Sequence, residues 1–222
     1  MTNSEWRNNR GGRLLIVLAW IGGLFIVALL LARISPLLGG PGYAMYNIPA
    51  GSMFPSVQLG DHIVALANVY RDQVPPRGQI VVFKYPPDGK TDYIKRVVGL
   101  PGDRIQLRAG LLFINDRLVP REAAPEPVDE DASGRRLHIY RETLPDGVTH
   151  LIAEAGDDEM LDNTEVFTVP ADHVFMLGDN RDHSADSRIS DGVGYVPLAL
   201  LRDKPLLVIW STNTSRIGTK IE

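Results

Sequence analysis

Two short segments pair a serine with a lysine in settings that would let them react. Ala50-Gly51-Ser52-Met53-Phe54-Pro55 sets a hydroxyl beside a glycine turn, and Tyr93-Ile94-Lys95-Arg96-Val97-Val98-Gly99-Leu100-Pro101-Gly102-Asp103 sets an amine in an apolar run. Serine is a weak nucleophile until a base takes its proton, and the usual base is histidine. Lysine serves only when neutral. A free lysine has a pKa of roughly 10.4, so it must be desolvated to act near neutrality, and burial lowers a lysine by up to about 3–5 units. A strand through Tyr93, Ile94, Val97 and Val98 would supply that apolar setting. Taken singly, each segment is ordinary: a serine after glycine is a turn residue, and a strand lysine usually lies on a solvated face or edge.

A third segment changes the weighing. The apolar strand His173-Val174-Phe175-Met176-Leu177 runs into a polar stretch, Gly178-Asp179-Asn180-Arg181-Asp182-His183-Ser184-Ala185-Asp186-Ser187-Arg188. Polar loops at the ends of buried strands are where orienting groups sit.

Together the three segments resemble the signature boxes of type I signal peptidases, serine endoproteases that remove signal peptides from secreted proteins. The Ser-Met-x-Pro-Thr box is met by Ser52 to Ser56, with serine for threonine at the end, and is followed by Gly60-Asp61. The Lys-Arg box runs from Lys95 to Asp103, and the Gly-Asp-Asn-Arg box from Gly178 to Arg188. The resemblance implies Ser52 as nucleophile, Lys95 as general base, and Ser184 as the hydroxyl that bonds and orients the Lys95 amine. It implies Arg96, Asp179, Asp186 and Arg188 as ions holding the polar loop against the lysine strand. The oxyanion would be met by the Ser52 backbone N–H. Relatives often add a hydroxyl two residues before the nucleophile, where this chain has Ala50. Loss of one such donor elsewhere costs about 2.7–4 kcal/mol of transition-state stabilisation.

The chain of 222 residues is 44% hydrophobic, enough to bury a core, and it has no Cys, which excludes disulfides and thiolate chemistry. Its five His residues show no metal-ligand spacing, and neither a metal nor a cofactor is expected. Leu14 to Ala32 is a nineteen-residue run without charge. As a helix it would be about 28 Å long, close to the roughly 30 Å hydrocarbon core, and it is longer than a signal-peptide h-region of about 7–15 residues. It reads as an uncleaved single-pass anchor. Arg7, Arg10 and Arg13 precede it and only Arg33 lies close behind, which puts residues 1–13 in the cytoplasm and the body outside the inner (cytoplasmic) membrane, on the periplasmic side. Residues 1–33 carry four Arg and one Glu, so a total of −4 leaves −7 for the rest. That acidic body argues against nucleic acid and against docking driven by anionic lipid. Contact with the bilayer would be apolar, through Pro36 to Pro41, Met53-Phe54 and Trp210, although Trp210 also reads as strand core.

Beyond the anchor lie short apolar runs bounded by Gly, Pro or Asp: His62–Leu66, Gln79–Phe83, Tyr93–Val98, Leu111–Ile114, Val174–Leu177 and Leu206–Trp210. The expected fold is mostly β. The resemblance implies a signal-peptidase-like β-core, residues 33–105 and 169–222, interrupted by a smaller β-domain at 106–168. Arg121 to Asp131 is acidic and Pro-rich and reads as an exposed loop.

The substrates implied are signal peptides of exported preproteins, with the lipid bilayer as the second partner. An extended peptide could add as a strand between Tyr46-Asn47-Ile48-Pro49 and Asp92-Tyr93-Ile94, making Tyr46, Ile48, Pro49, Asp92, Tyr93 and Ile94 the expected cleft. Three rivals stand beside this: a dedicated Ser-Lys maturation protease of a conjugation or pilus system, a self-cleaving repressor, and an inactive anchored binding protein. A Ser-His-Asp enzyme using His173 or His183 is compatible with the composition.

Overall fold

Strand residues of alternating burial, punctuated by tight turns, account for most of the structure. The computed structural model describes Trp20, Gly22, Gly23, Val27 and residues 42–70, 73–124, 129–130 and 136–222. Most of the 14–32 span, the head 1–13, Pro36 to Pro41, and the 125–128 and 131 positions of the acidic loop lie outside the described residues. Trp20, Gly22, Gly23 and Val27 are helical and exposed. Among the described residues no helix is long and apolar enough to cross a membrane. By contacts the chain divides into Met1–Tyr43 and Ala44–Glu222, and the second unit holds nearly all of the strands.

The strands are β1 (Gly42–Asn47), β2 (His62–Ala67), β3 (Ile80–Lys84), β4 (Asp92–Gly99), β5 (Arg104–Arg108), β6 (Leu111–Ile114), β7 (Arg117–Leu118), β8 (Arg121–Ala123), β9 (Asp129–Glu130), β10 (Arg136–Thr143), β11 (Thr149–Glu154), β12 (Phe167–Thr168), β13 (His173–Leu177), β14 (Val196–Pro197) and β15 (Leu201–Trp210). One seven-stranded sheet has the order β1-β2-β15-β3-β4-β13-β14. A four-stranded sheet, β12-β5-β6-β7, and another built of β11-β10-β8 with β9 on β10 come from the chain between β4 and β13. The mostly β expectation holds.

Two adjacent strands of the large sheet, β4 and β13, are buried on both faces over most of their length. Lys95 to Gly99 of β4 and Val174 to Leu177 of β13 are buried at every position. Side chains alternate across a strand. Val97, Val174 and Met176 therefore enter a core with Val81 and Phe83, while Val98, Phe175 and Leu177 enter another with Ile105, Leu107, Leu112 and Ile114. Gly99 is a close approach of β4 to β13 and β5: a Cβ there would stand 2.8 Å from Phe175 Cβ and 2.9 Å from Ile105 Cγ1.

A third core joins Ile48, Met53, Val57, Ile63, Ile80, Val208 and Ile221, with Tyr46 and Ile94 against it. Met53 is fully buried there and is no membrane contact, because its side chain locks the turn after Ser52 into the core. Trp210 is corrected the other way. It lies at the end of β15, half exposed, with its ring edge-on to His62 at 4.8 Å.

Candidate active site

Ser52 is held by a turn whose two sides are pinned to different parts of the fold. Phe54 N donates to Gly51 O at 3.1 Å and Val57 N to Met53 O at 2.9 Å, closing the turn on itself. Gly60 N donates to Ile48 O and Ile48 N to Asp61 O, each at 2.9 Å, so Gly60-Asp61 clamps the segment leading to the serine. Asp61 also receives Arg216 at 2.8 Å, and Arg216 Nη2 donates to Ser56 O at 3.0 Å.

Lys95 reaches this turn from β4. Its Nζ donates to Ser52 Oγ at 2.7 Å and to Ile94 O at 2.9 Å, and it stands 5.7 Å from the centre of the Tyr93 ring. Only 3% of the residue is exposed. Burial pushes its pKa down to about 8, with Asp186 and then Asp179 pulling the other way. Desolvation outweighs the two carboxylates, so the amine is neutral in a useful fraction near pH 7–8. A neutral amine 2.7 Å from a hydroxyl can take its proton.

The polar loop after β13 surrounds this pair. Arg96 Nε and Nη2 donate to Asp179 Oδ1 and Oδ2 at 2.8 and 2.7 Å, and both side chains are buried. Burial opposes ionisation of Asp179, but the Arg96 charge overcomes it and holds the carboxyl below its usual range. This ion pair joins the polar loop to β4. Asp186 and Arg188 do something different. Their pair is local, Arg188 Nε to Asp186 Oδ1 at 2.9 Å; Asp186 Oδ2 also receives Gly178 N at 3.1 Å, and Arg188 Nη2 donates to Arg181 O. They fold the loop onto its own start rather than bridging to β4, because residues two apart can meet without leaving the turn.

Ser184 Oγ is buried with no hydrogen-bond partner among the described residues, where the bonds Lys95 Nζ makes go to Ser52 and Ile94 rather than to the expected Ser184 hydroxyl. The hydroxyl lies under Gly178, where an added Cβ would come within 2.1 Å of Ser184 Oγ and 2.5 Å of Ser52 O. Gly178 is thus the close approach that brings the loop against the Ser52 turn.

The expected cleft residues divide. Tyr46, Ile48 and Ile94 gather in the core around Met53, and Ile48 is only 4% exposed, so it backs the cleft rather than facing it. Tyr46 Oη donates to the Asp203 carboxylate. Pro49 and Ala50 are exposed. Tyr93 stacks on Tyr85 with ring centres 4.6 Å apart, and Asp92 pairs with Lys84 at 2.7 Å. Residues Asp92 to Lys95 pair with β3, whereas the ladder to β13 begins at Arg96.

Asn180 and Arg181 stand in the polar run with no role assigned from sequence, and nothing local points to Glu142 or His150. Asn180 donates from Nδ2 to Gly51 O at 3.1 Å and from its main-chain N to Ser52 O at 3.2 Å. Arg181 makes a doubly bonded ion pair with Glu142 of β10, both side chains 1% exposed. His150 of β11 lies 3.4 Å from Glu142, its pKa pushed down to about 4 by burial and then by the Arg96 charge. Neither His173, which sits 6.4 Å from the Tyr195 ring, nor exposed His183 is a described partner of Ser52 Oγ. Among the described residues no cluster of His, Asp or Glu could hold a metal ion.

Comparison with known proteins gives a consistent set of relatives. The family model described as signal peptidase, peptidase S26, matches residues 17–210. The signal peptidase I of Rickettsia canadensis is 34% identical over 194 residues, covering 76% of this chain and 72% of that protein. The signal peptidase I of Rickettsia typhi is 40% identical over 194 residues with the same coverage. A crystal structure of a signal peptidase I from Enterococcus faecalis is 26% identical, with a TM-score of 0.37 over 58% of this chain and 94% of that one.

Proposed function

The chain belongs to the signal peptidase family of serine peptidases, peptidase S26, and from that premise we propose that it removes signal peptides from exported preproteins with a Ser52–Lys95 dyad. The observation that carries the reading is the 2.7 Å contact between Lys95 Nζ and Ser52 Oγ in a setting that lowers the lysine.

Neutral Lys95 takes the Ser52 proton as Oγ attacks the scissile carbonyl carbon. The carbonyl oxygen becomes an oxyanion facing the Ser52 N–H. The Lys95 ammonium then gives its proton to the leaving nitrogen, the C–N bond breaks, and an ester on Ser52 remains. Water attacks that ester while Lys95 takes its proton, and Ser52 regains a proton as the signal peptide leaves.

The Asp92–Lys95 stretch of β4, paired on one side to β3, offers main chain to an extended peptide. A peptide added there would run toward Lys95 and place its scissile bond at Ser52. Residues 14–32 anchor the enzyme in the bilayer with residues 1–13 in the cytoplasm, and nineteen residues separate Ala32 from Ser52. That tether keeps the dyad near the membrane surface, where signal peptides are presented.

The test is incubation of the detergent-solubilised full chain with a model preprotein, mapping the cut by mass spectrometry. The unmodified chain should cut after a small residue, and Ser52→Ala and Lys95→Ala should not cut. Normal turnover by folded Lys95→Ala would sink the dyad.

A further inference from the structure

Ser52 sits between two peptide planes, and both of their carbonyls are held by one residue. Gly51 O accepts Asn180 Nδ2 at 3.1 Å and also Phe54 N at 3.1 Å, so both lone pairs of that oxygen are used. Ser52 O accepts Asn180 N at 3.2 Å.

A trans peptide is planar, with its C=O and N–H pointing in opposite directions. The N–H opposite Gly51 O is that of Ser52. Fixing Gly51 O toward Asn180 therefore fixes the direction of the Ser52 N–H, which points away from Asn180. In a site where position 50 is alanine, that N–H has no neighbouring hydroxyl two residues upstream to share its task.

Asn180 is itself rigidly placed. The residue is 6% exposed, Ala153 N donates to Asp179 O at 2.8 Å, and Ala153 and Asn180 form a parallel bridge. Strand β11 thus backs Asn180, and Asn180 backs the nucleophile turn. The approach is close because Gly178 leaves no Cβ to hold Ser52 O away.

We propose that Asn180 is a positioning residue for the oxyanion site, aiming the Ser52 N–H by holding Gly51 O with its side-chain amide. The inference rests on the reading of the Ser52 N–H as the oxyanion donor. Asn180 touches no reacting atom. Its effect is confined to the tetrahedral intermediate and the transition states that flank it, because the oxyanion is absent from the bound substrate, and Lys95 makes its contacts without it.

The experiment uses Asn180→Leu, which keeps the volume and removes the donor, and Asn180→Ala, which removes it with less bulk. Both keep the main-chain N–H that bonds Ser52 O. Three readouts are compared in the full-length enzyme. The first is kcat and KM on a preprotein-derived peptide. The second is affinity for a peptidyl boronate, whose anionic tetrahedral adduct sets a boron-bound oxygen at the oxyanion position, against an uncleavable peptide of the same sequence. The third is the pH dependence of kcat/KM.

Deletion of a direct oxyanion donor costs about 10²–10³-fold in kcat, so loss of the residue that aims it should cost about 10–100-fold. KM and uncleavable-peptide affinity should stay within about 2-fold, boronate affinity should fall with kcat, and the pH midpoint should not move. A folded variant with kcat within about 2-fold of the parent overturns the inference. So does a parallel fall in boronate and uncleavable-peptide affinity, or failure of both variants to fold, since each makes the amide structural only. Ser52→Ala is run alongside: if it still cleaves, the dyad reading has failed, whereas inactive Ser52→Ala with unaffected Asn180→Leu sinks this inference alone.

Discussion

Arg96 and Asp179 face each other through two hydrogen bonds, 2.8 and 2.7 Å long, with side chains 1% and 2% exposed. Arg96 is next in sequence to Lys95, and Asp179 lies one residue before Asn180. The same guanidinium donates to Gly78 O at 2.5 Å and Ser56 Oγ at 3.2 Å. One planar fork thus joins the lysine strand, the polar loop and the Ser52 turn, a set of directions an ammonium does not hold in one rigid plane. Removing one partner of a buried pair leaves the other charge uncompensated and costs about 3–5 kcal/mol. Arg96→Ala should lose stability on that scale in denaturant unfolding, and Arg96→Lys should lose less. Unfolding midpoints equal to that of the parent would show that the pair holds nothing.

Burial of Lys95 should cost stability. Its folded pKa, pushed down to about 8, lies below the unfolded value of 10.5. Between these values the unfolded chain binds more protons, so the stability of the parent rises with pH over that window and is lowest below about 8. Lys95→Met should therefore be more stable than the parent at pH 7, with the gap narrowing as pH rises from about 8 to 10.5. Thermal unfolding of both proteins across that range checks it. A less stable Lys95→Met at pH 7 would mean that the amine is not penalised by burial.

His150 works against stability in acid. Its folded pKa of about 4 lies below the ordinary 6.5, so the unfolded state binds more protons between those values and stability falls as pH drops through them. His150→Gln should flatten that part of the stability curve. Glu154, pushed up to about 7 by burial against the pull of Arg181 and Arg121, works in the opposite sense, losing stability as pH rises from about 4.5 to 7. An unchanged acid slope in His150→Gln would place the titrating group elsewhere.

Ala50→Ser tests the upstream position. Ala50 is exposed, so a hydroxyl there can be accommodated. It should raise kcat more than it lowers KM, because a bond to the oxyanion strengthens only as charge develops. The gain should be smaller than the roughly 10²–10³-fold loss seen when an evolved donor is deleted. Unchanged kcat would mean that the backbone donor is sufficient.

Several strands were legible because their apolar runs are dense and end at Gly, Pro or Asp: β2, β3, β4, β6 and β13 lie within about a residue of where the residues suggest. Strand β15 begins five residues before the expected Leu206, because Pro205 reads as a breaker yet is accommodated at a register shift against β2. Strand β10 was missed although its burial alternates through Leu137 and Ile139, since its outward residues are charged or polar. Ser52 and Lys95 were legible as chemistry, and the structure brings them together. The roles of Asn180, Arg181, Glu142 and His150 were not, because each acts through a contact far away in sequence. Nothing local in Arg136–Thr143 announces that Glu142 will meet Arg181, 39 residues on. The Ser184 expectation came from resemblance alone, and here Lys95 bonds Ser52 and Ile94 instead.

The central claim is that a neutral lysine activates Ser52, and the most direct measurement is kcat/KM against pH on a preprotein-derived peptide, which reports the groups of the free enzyme. Only unprotonated Lys95 can accept the serine proton, so the rate should rise tenfold per pH unit from acid and level off above a midpoint of about 8. A rate that falls as pH rises from about 5 to 8, or a midpoint near the ordinary histidine value of about 6.5, would contradict the account.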